Sequence, residues 1–250
     1  MRAWLAGAVL GVSVAGLAYW RRALTLDGAL AAAVVGCVTF ARGGWPVTSA
    51  LLAFFGSSSL LSRLGEVRKQ SLPLAQAKGA RRDAWQVLAN GGIATLCLGL
   101  GFRRGAVGAL AAAGADTWAT ELGLLARSTP RLITSMRSVP PGTSGGTTLE
   151  GLAASLGGAL LVGVSAGAFG EGQQSVRAAV MAGLGGSLMD SVLGATLQAE
   201  YVCARCQEPT EHAVHPRCGF PATLHRGHAW MTNDTVNGLA SLTGAAIGSL

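Results

Sequence analysis

The feature that most narrows what this chain can become is a series of apolar runs, near residues 4–20, 26–40, 46–62, 84–101, 105–126, 149–169, 178–198 and 235–250. Each is about as long as a helix must be to cross the ~30 Å hydrocarbon layer of a bilayer. In that layer no water meets the backbone N–H and C=O groups, so a spanning segment must be helical or belong to a closed barrel. The alternating ten-residue pattern of barrel strands is absent. The runs therefore predict an all-α, polytopic integral membrane helical bundle with about eight transmembrane helices, in a range of about six to ten. Composition agrees: half of the residues are apolar, 12% are charged, and the 37 glycines suit close helix contacts in lipid.

The first run, "MRAWLAGAVLGVSVAGLAYWRR", ends in an aromatic and basic border rather than a cleavage site, which predicts a retained span. Alternating the runs puts connections 21–25, 63–83, 127–148 and 199–234 on one side, with fourteen of the nineteen Lys and Arg residues. These include Arg68 and Lys78 in the first long loop. By the positive-inside rule this side is cytoplasmic, in a multi-pass protein of the plasma membrane. The net charge of +7 is thus read as orientation, and no nucleic-acid partner is expected. The chain reads as one membrane domain, 1–250, with a Cys/His insertion at 199–232.

Within one run lies "GADTWATELG", which holds Asp116, Thr117, Thr120 and Glu121 on adjoining faces of one helix turn. An ionised Asp inside a membrane costs at least ~2.5 kcal/mol, so a carboxylate there usually has a partner or a task. A second such segment, "GSLMDSVLGATLQAE", carries Asp190 with Gly186 and Gly194 four residues to either side, which lets another backbone come close along that face. The two segments share a weak likeness, small residues and then Asp followed by Thr or Ser. Two acidic helices side by side suit Mg²⁺, which takes carboxylate oxygens and shares its other positions with water and phosphate. A proton or cation pathway and plain structural packing are the competing readings.

After Glu121 come Arg131, Arg137 and a loop of small residues, Gly142, Thr143, Ser144, Gly145, Gly146 and Thr147, which opens the next helix. Such a loop and the positive end of a helix form an anion site. Thr147 and Glu150 have capping-box spacing, so a well-capped helix start is the plainer alternative. No Gly-Lys-Ser/Thr follows, so this is not a Walker loop. Lys69 and Arg82 lie on the first long loop, before the 84–101 run in which Asn90 needs a hydrogen-bond partner. Asn233, Asp234 and Asn237 mark another membrane boundary, where Asn233 or Thr232 can cap a helix.

Cys203-x-x-Cys206 and His215-x-x-Cys218 have the spacing of a zinc knuckle in a reducing compartment. A structural Zn²⁺ is expected there, with His212, His225 and His228 as spare ligands and a redox pair or free thiols as alternatives.

The ordered series "DGALAAAVVG", "WQVLANGG", "ADTWATELG", "PRLIT", "PPGTSGG", "GSLMDSVLGATLQ" and "NDTVN" covers most of the chain. It resembles the transmembrane-protein-nineteen family, domain of unknown function ninety-two, whose plant plastid branch includes phytyl-phosphate kinase. Thr120 stands where Ser is usual in the family, and Asp83 where Asn is usual. The resemblance implies a membrane-embedded isoprenoid monophosphate kinase that takes CTP or ATP and yields a prenyl diphosphate. In that reading Asp116, Glu121 and Asp190 hold Mg²⁺, and Arg131 and Arg137 neutralise phosphate oxygens. The 142–147 loop holds the nucleotide, while Lys69, Arg82, Asn90, Asn233, Asp234 and Asn237 bind substrate. A CTP-dependent lipid nucleotidyltransferase and an ion-coupled transporter are the alternatives. The bilayer, an isoprenoid phosphate and a nucleoside triphosphate are the expected partners, and a homodimer is left open.

Overall fold

A computed structural model describes residues 1–70, 72 and 81–250, apart from the side chains of Arg68, Gln70 and Glu171. Lys78 and the Arg68 side chain therefore lie outside the described residues. In chain order the helices are α1 (Arg2–Trp20), α2 (Leu26–Val38), α3 (Gly44–Arg63), the short α4 (Glu66–Gln70), α5 (Ala84–Gly99) and α6 (Arg103–Gly123). Then follow α7 (Leu149–Ala166), α8 (Gly172–Thr196) and α9 (Asn233–Gly248). A long helix thus occupies each of the apolar runs. Four helical stretches are long and apolar enough to cross a membrane unaided: Arg2–Trp20, Leu26–Arg63, Leu149–Gly170 and Gly172–Thr196. The 16-residue α5 and α9 would extend about 24 Å, short of the hydrocarbon thickness, and α6 carries charge at both ends.

The stretch Leu26–Arg63 is not one rod. A π-helical turn at Thr39–Gly43 leads to Gly44, whose φ of +64° is open to glycine at little cost, and the chain reverses there. The Gly167–Glu171 turn reverses α7 into α8 in the same way, and the two reversals meet where Trp45 stacks on Phe169 at 6.2 Å. At the opposite end Arg63 Nη2 donates to the Arg21 carbonyl (2.7 Å), and Ser144 Oγ donates to Glu211 (2.8 Å). The helices therefore alternate in direction, and the four connections expected on one side do share one end. The four long helices that start at this end are each capped by a side chain: Thr25 for α2, Asp83 for α5, Thr148 for α7 and Thr232 for α9. Each cap occupies one of the backbone N–H groups that a helix start leaves unpaired.

The cap of α7 corrects one expectation. Thr148, not Thr147, accepts from the Gly151 N–H (2.9 Å), and Glu150 instead accepts from Ser128. Regular strands, not expected from the sequence, also appear. Arg131–Leu132 (β1) pairs with Gly146–Thr147 (β2), and the Cys/His insertion folds as an antiparallel sheet. Its strands are Glu200–Cys203 (β3), Pro209–Thr210 (β4) and Ala222–Arg226 (β5), in the order β4-β3-β5.

α6 is the post of the bundle, packed against α3, α5, α7, α8 and α9. Every residue from 105 to 115 is buried, and nearly all are Gly or Ala. Facing glycines bring the backbones together, since a Cβ at Gly244 would lie 2.6 Å from the Gly108 carbonyl oxygen. We predict that Gly244→Ala costs ~2 kcal/mol through overpacking and lowers the melting temperature in detergent. Gly56→Ala, where a Cβ would meet nothing within 4 Å, should leave it unchanged or raise it.

Candidate functional site

At the capped end a polar cavity of about 590 Å³ opens between α5, α6, α7, α8 and α9. α6 and α8 run in the same direction and touch where Gly186 meets Ala112. One turn further along each helix, on the same face, stand Asp116 and Asp190. Both line the cavity, with Thr117, Thr120 and Glu121 beside them. Asn90 from α5 and Asn233 and Asn237 from α9 complete a wall of oxygen donors. Ser241 Oγ donates to the Ala89 carbonyl (3.3 Å), which ties these two helices together, and Asn90 Nδ2 donates to the Gln86 carbonyl (2.8 Å).

Two cations face these acids. Lys69, brought in by α4, donates to Glu121 Oε2 (2.6 Å) and to the Leu61 carbonyl (2.7 Å). The other Glu121 oxygen accepts from Ser62 Oγ at 2.6 Å. Both Glu121 oxygens are thus engaged within the protein, one by Ser62 and the other by Lys69. Arg82 is fixed by its backbone, which donates to the Ala23 carbonyl (3.0 Å) and accepts from Thr25 N–H (3.0 Å). Its guanidinium lies 6.0 and 5.8 Å from the ring centres of Phe54 and Phe55. Burial presses its pKa below the usual arginine value, and the Glu121 carboxylate opposes that shift.

The loop expected to bind phosphate is part of the same cavity, from Gly142 through Thr147 and on to Thr148 and Gly151 at the start of α7. It is seated by Gly145, whose φ of +78° and contact with Ala195 leave no room for a side chain. Gly194 of α8 comes within van der Waals reach of the Gly145 backbone, as its small size in the sequence suggested. The starts of α5, α7 and α9 all reach this cavity, so three positive helix ends add to the field at its rim.

Some expected site residues stand apart. Arg131 and Arg137 are exposed and do not line the cavity. The β1–β2 pairing turns Arg131 outward, where its Nη1 donates to the Met136 carbonyl (2.9 Å). Asp234 sits in the first turn of α9, also outside the lining. Conversely, Ser62, Glu66 and Glu211 line the cavity without being expected there, and Gln198 joins them from the end of the Asp190 segment. Ser62 had a legible signal, because "GSSSLLSR" puts Ser58 and Ser62 one turn apart in an apolar helix. Glu211 had none, since only the insertion's fold carries it onto Ser144 and Gln198 (2.8 and 2.9 Å).

In that insertion Cys203, Cys206, His215 and Cys218 bring their ligand atoms within 4.8 Å of one another, the sole such group among the described residues. The separations are 3.3 Å for Cys203–Cys218, 3.9 Å for Cys206–Cys218 and 3.6 Å for Cys206–His215 Nδ1. A tetrahedron with Zn–S near 2.3 Å needs sulfurs about 3.8 Å apart, so these atoms fit one metal ion. His215 presents Nδ1 to the cysteines, while Nε2 faces Glu208 Oε2 at 3.8 Å, which orients the ring. The Cys206 backbone N–H draws the Cys203 thiol down to about 7, toward the thiolate that binds metal.

Apolar helices of spanning length, packed through glycine and arranged around a polar end, define a polytopic helical membrane protein. The chain belongs to the family described as Integral membrane protein DUF92, which matches residues 9–245. It is similar to Protein PGR of Arabidopsis thaliana, 33% identical over 229 residues that cover 78% of this chain and 79% of that one. An uncharacterised membrane protein of Methanocaldococcus jannaschii is 32% identical, with 71% and 76% covered. One from Synechocystis is 27% identical over 98% of this chain and 89% of its own. No solved structure matches.

Lys69→Met leaves the Glu121 side chain, 19% exposed, without its cation, and should destabilise the protein by about 3 kcal/mol. Lys69→Met with Glu121→Gln should recover most of that loss in the same detergent unfolding assay. Purified protein is expected to carry one zinc ion per chain by plasma mass spectrometry, and Cys206→Ser should lose it. Because Glu211 links the insertion to Ser144, hydrogen exchange in the 142–147 loop should speed up with that loss.

Proposed function

We propose that this protein is a prenyl-phosphate kinase, which moves a phosphoryl group from a nucleoside triphosphate to an isoprenoid monophosphate at the membrane face. The observation that carries the reading is that one cavity holds the acidic turns of α6 and α8, the small-residue loop before α7, and two cations. The family resemblance to phytyl-phosphate kinase supports the same chemistry.

In this reading the donor's phosphates lie along the 142–147 loop and the α7 start, where backbone dipoles favour anions. Arg82 and Lys69 face the lipid phosphate, which is already an oxyanion and needs no general base. One of its oxygens attacks the γ phosphorus; the new P–O bond forms as the β,γ-bridging bond breaks, and nucleoside diphosphate leaves. Such transfer depends chiefly on alignment and charge neutralisation. Magnesium would supply that neutralisation when bound, and Asp116 and Asp190 would hold it, since Mg²⁺ commonly needs only one or two protein carboxylates beside phosphate oxygens. Asn90, Asn233 and Asn237 orient the phosphates, and Glu121 keeps Lys69 in place. The Cys/His insertion, loaded with structural zinc, buttresses the loop through Glu211. The chain acts as one membrane unit with eight spans, its basic end in the cytoplasm where nucleotide is found.

The test uses purified protein with Mg²⁺ and geranylgeranyl or phytyl monophosphate, offered CTP and ATP labelled at the γ or the α phosphate. Label from γ is expected in the lipid, and Asp116→Asn should abolish it while melting like the parent. Label from α would instead make the protein a nucleotidyltransferase, and no label from folded protein would overturn both.

A further inference from the structure

A second hollow adjoins the polar cavity, and its walls are of the opposite kind. It lies between α1, α2 and α5 on one side and α3 on the other. Although α3 follows α2 directly, it packs on α6 and α7 and hardly touches α1, α2 or α5. The two walls are joined at the far end by the Thr39–Gly43 turn, which contacts α1, α2, α3 and α5. Van der Waals packing is what holds helices together in lipid. A slot left open along a helix therefore gives up contact that another apolar object can supply.

The lining is nearly all hydrocarbon. Its polar side chains are Thr48, Arg82, Gln86 and Asn90, and the last three also line the polar cavity. The slot and the cavity thus adjoin along Arg82, Gln86 and Asn90, with an abrupt change in polarity there. The guanidinium sits at that boundary over Phe54 and Phe55, a cation with apolar surface beneath it. From Phe55 to Thr48 the wall of α3 descends seven residues, about 10 Å. Leu52 on this wall is 36% exposed, so the slot has an apolar side toward the surroundings.

We infer that this slot holds the hydrocarbon tail of the lipid monophosphate, with its phosphate at Arg82 and its first isoprene units between α3 and the α1–α2–α5 wall. The inference rests on the proposed reaction and adds where the lipid enters and what selects it. A phosphate at Arg82 keeps a charge in the polar cavity, while the attached chain leaves water along Val35, Leu51 and Val87. The rest of the tail passes Leu52 into the bilayer. The Thr39–Gly43 turn closes the far end, so bulky or polar tails are refused and slender branched chains are accepted.

The experiment uses the full chain in lipid nanodiscs and a prenyl monophosphate with a diazirine on its second isoprene unit, irradiated and mapped by peptide mass spectrometry. Adducts are expected on Val35, Leu51, Phe55 or Val87, suppressed by excess geranylgeranyl monophosphate. Ala32→Trp and Leu51→Trp, each filling the slot, should cut the labelling to background while melting like the parent. Adducts confined to outward residues such as Val9 and Leu30, or unchanged in both variants, would overturn the inference. The kinase assay runs in parallel. Slot labelling without γ transfer would sink the kinase reading and leave a prenyl-phosphate binding site; γ transfer without slot labelling would sink the slot alone.

Discussion

Close approach of backbones around α6 is the constraint on which the other parts rest. In a bilayer the hydrophobic effect does not drive helices together, so the bundle relies on packing at short range. Residues 105–115 supply this with almost nothing but Gly and Ala, and the partners meet them with Gly158, Gly186 and Gly244. Because α6 and α8 touch through a glycine and an alanine, the turn beyond that contact presents Asp116 and Asp190 into the same space. The polar end of the molecule is built by its apolar middle.

Charge at that end is managed by pairing rather than by exposure. Glu121 satisfies Lys69 and accepts from Ser62, and Arg82 rests on two aromatic rings. Three helix starts add positive potential to a cavity that also holds five carboxylates, Glu66, Asp116, Glu121, Asp190 and Glu211. A site of mixed sign suits a ligand that itself combines anions with a divalent cation. The apolar slot beyond Arg82 sets hydrocarbon beside this polar site, the arrangement that the proposed lipid phosphate requires.

Much of this could be read from residue order. Helical periodicity put Asp116, Thr117, Thr120 and Glu121 in neighbouring positions, and all four line the cavity. Gly194 signalled a close backbone contact, and Gly145 provides it. The faint likeness of the two Asp segments corresponds to two helices running side by side in one direction. Arg131 and Arg137 behave differently. Their nearness in sequence to the acidic helix suggested a shared task, but a two-residue strand pair fixes the direction of Arg131, and such short pairing leaves no periodic signal.

What the sequence determined by itself is the class and the ingredients: helices of spanning length, the basic end, the acidic turns, the small-residue loop and the Cys/His set of the insertion. Each of these depends on local chemistry, whether hydropathy over a helix length, charge placement or ligand spacing. Tertiary structure alone decided the pairings. It paired Glu121 with Lys69, carried Glu211 onto Ser144 and held α3 away from α2 so that an apolar slot reaches Arg82. The first two outcomes join residues 52 and 67 positions apart, and such distances are set by how helices pack, not by any pattern along the chain.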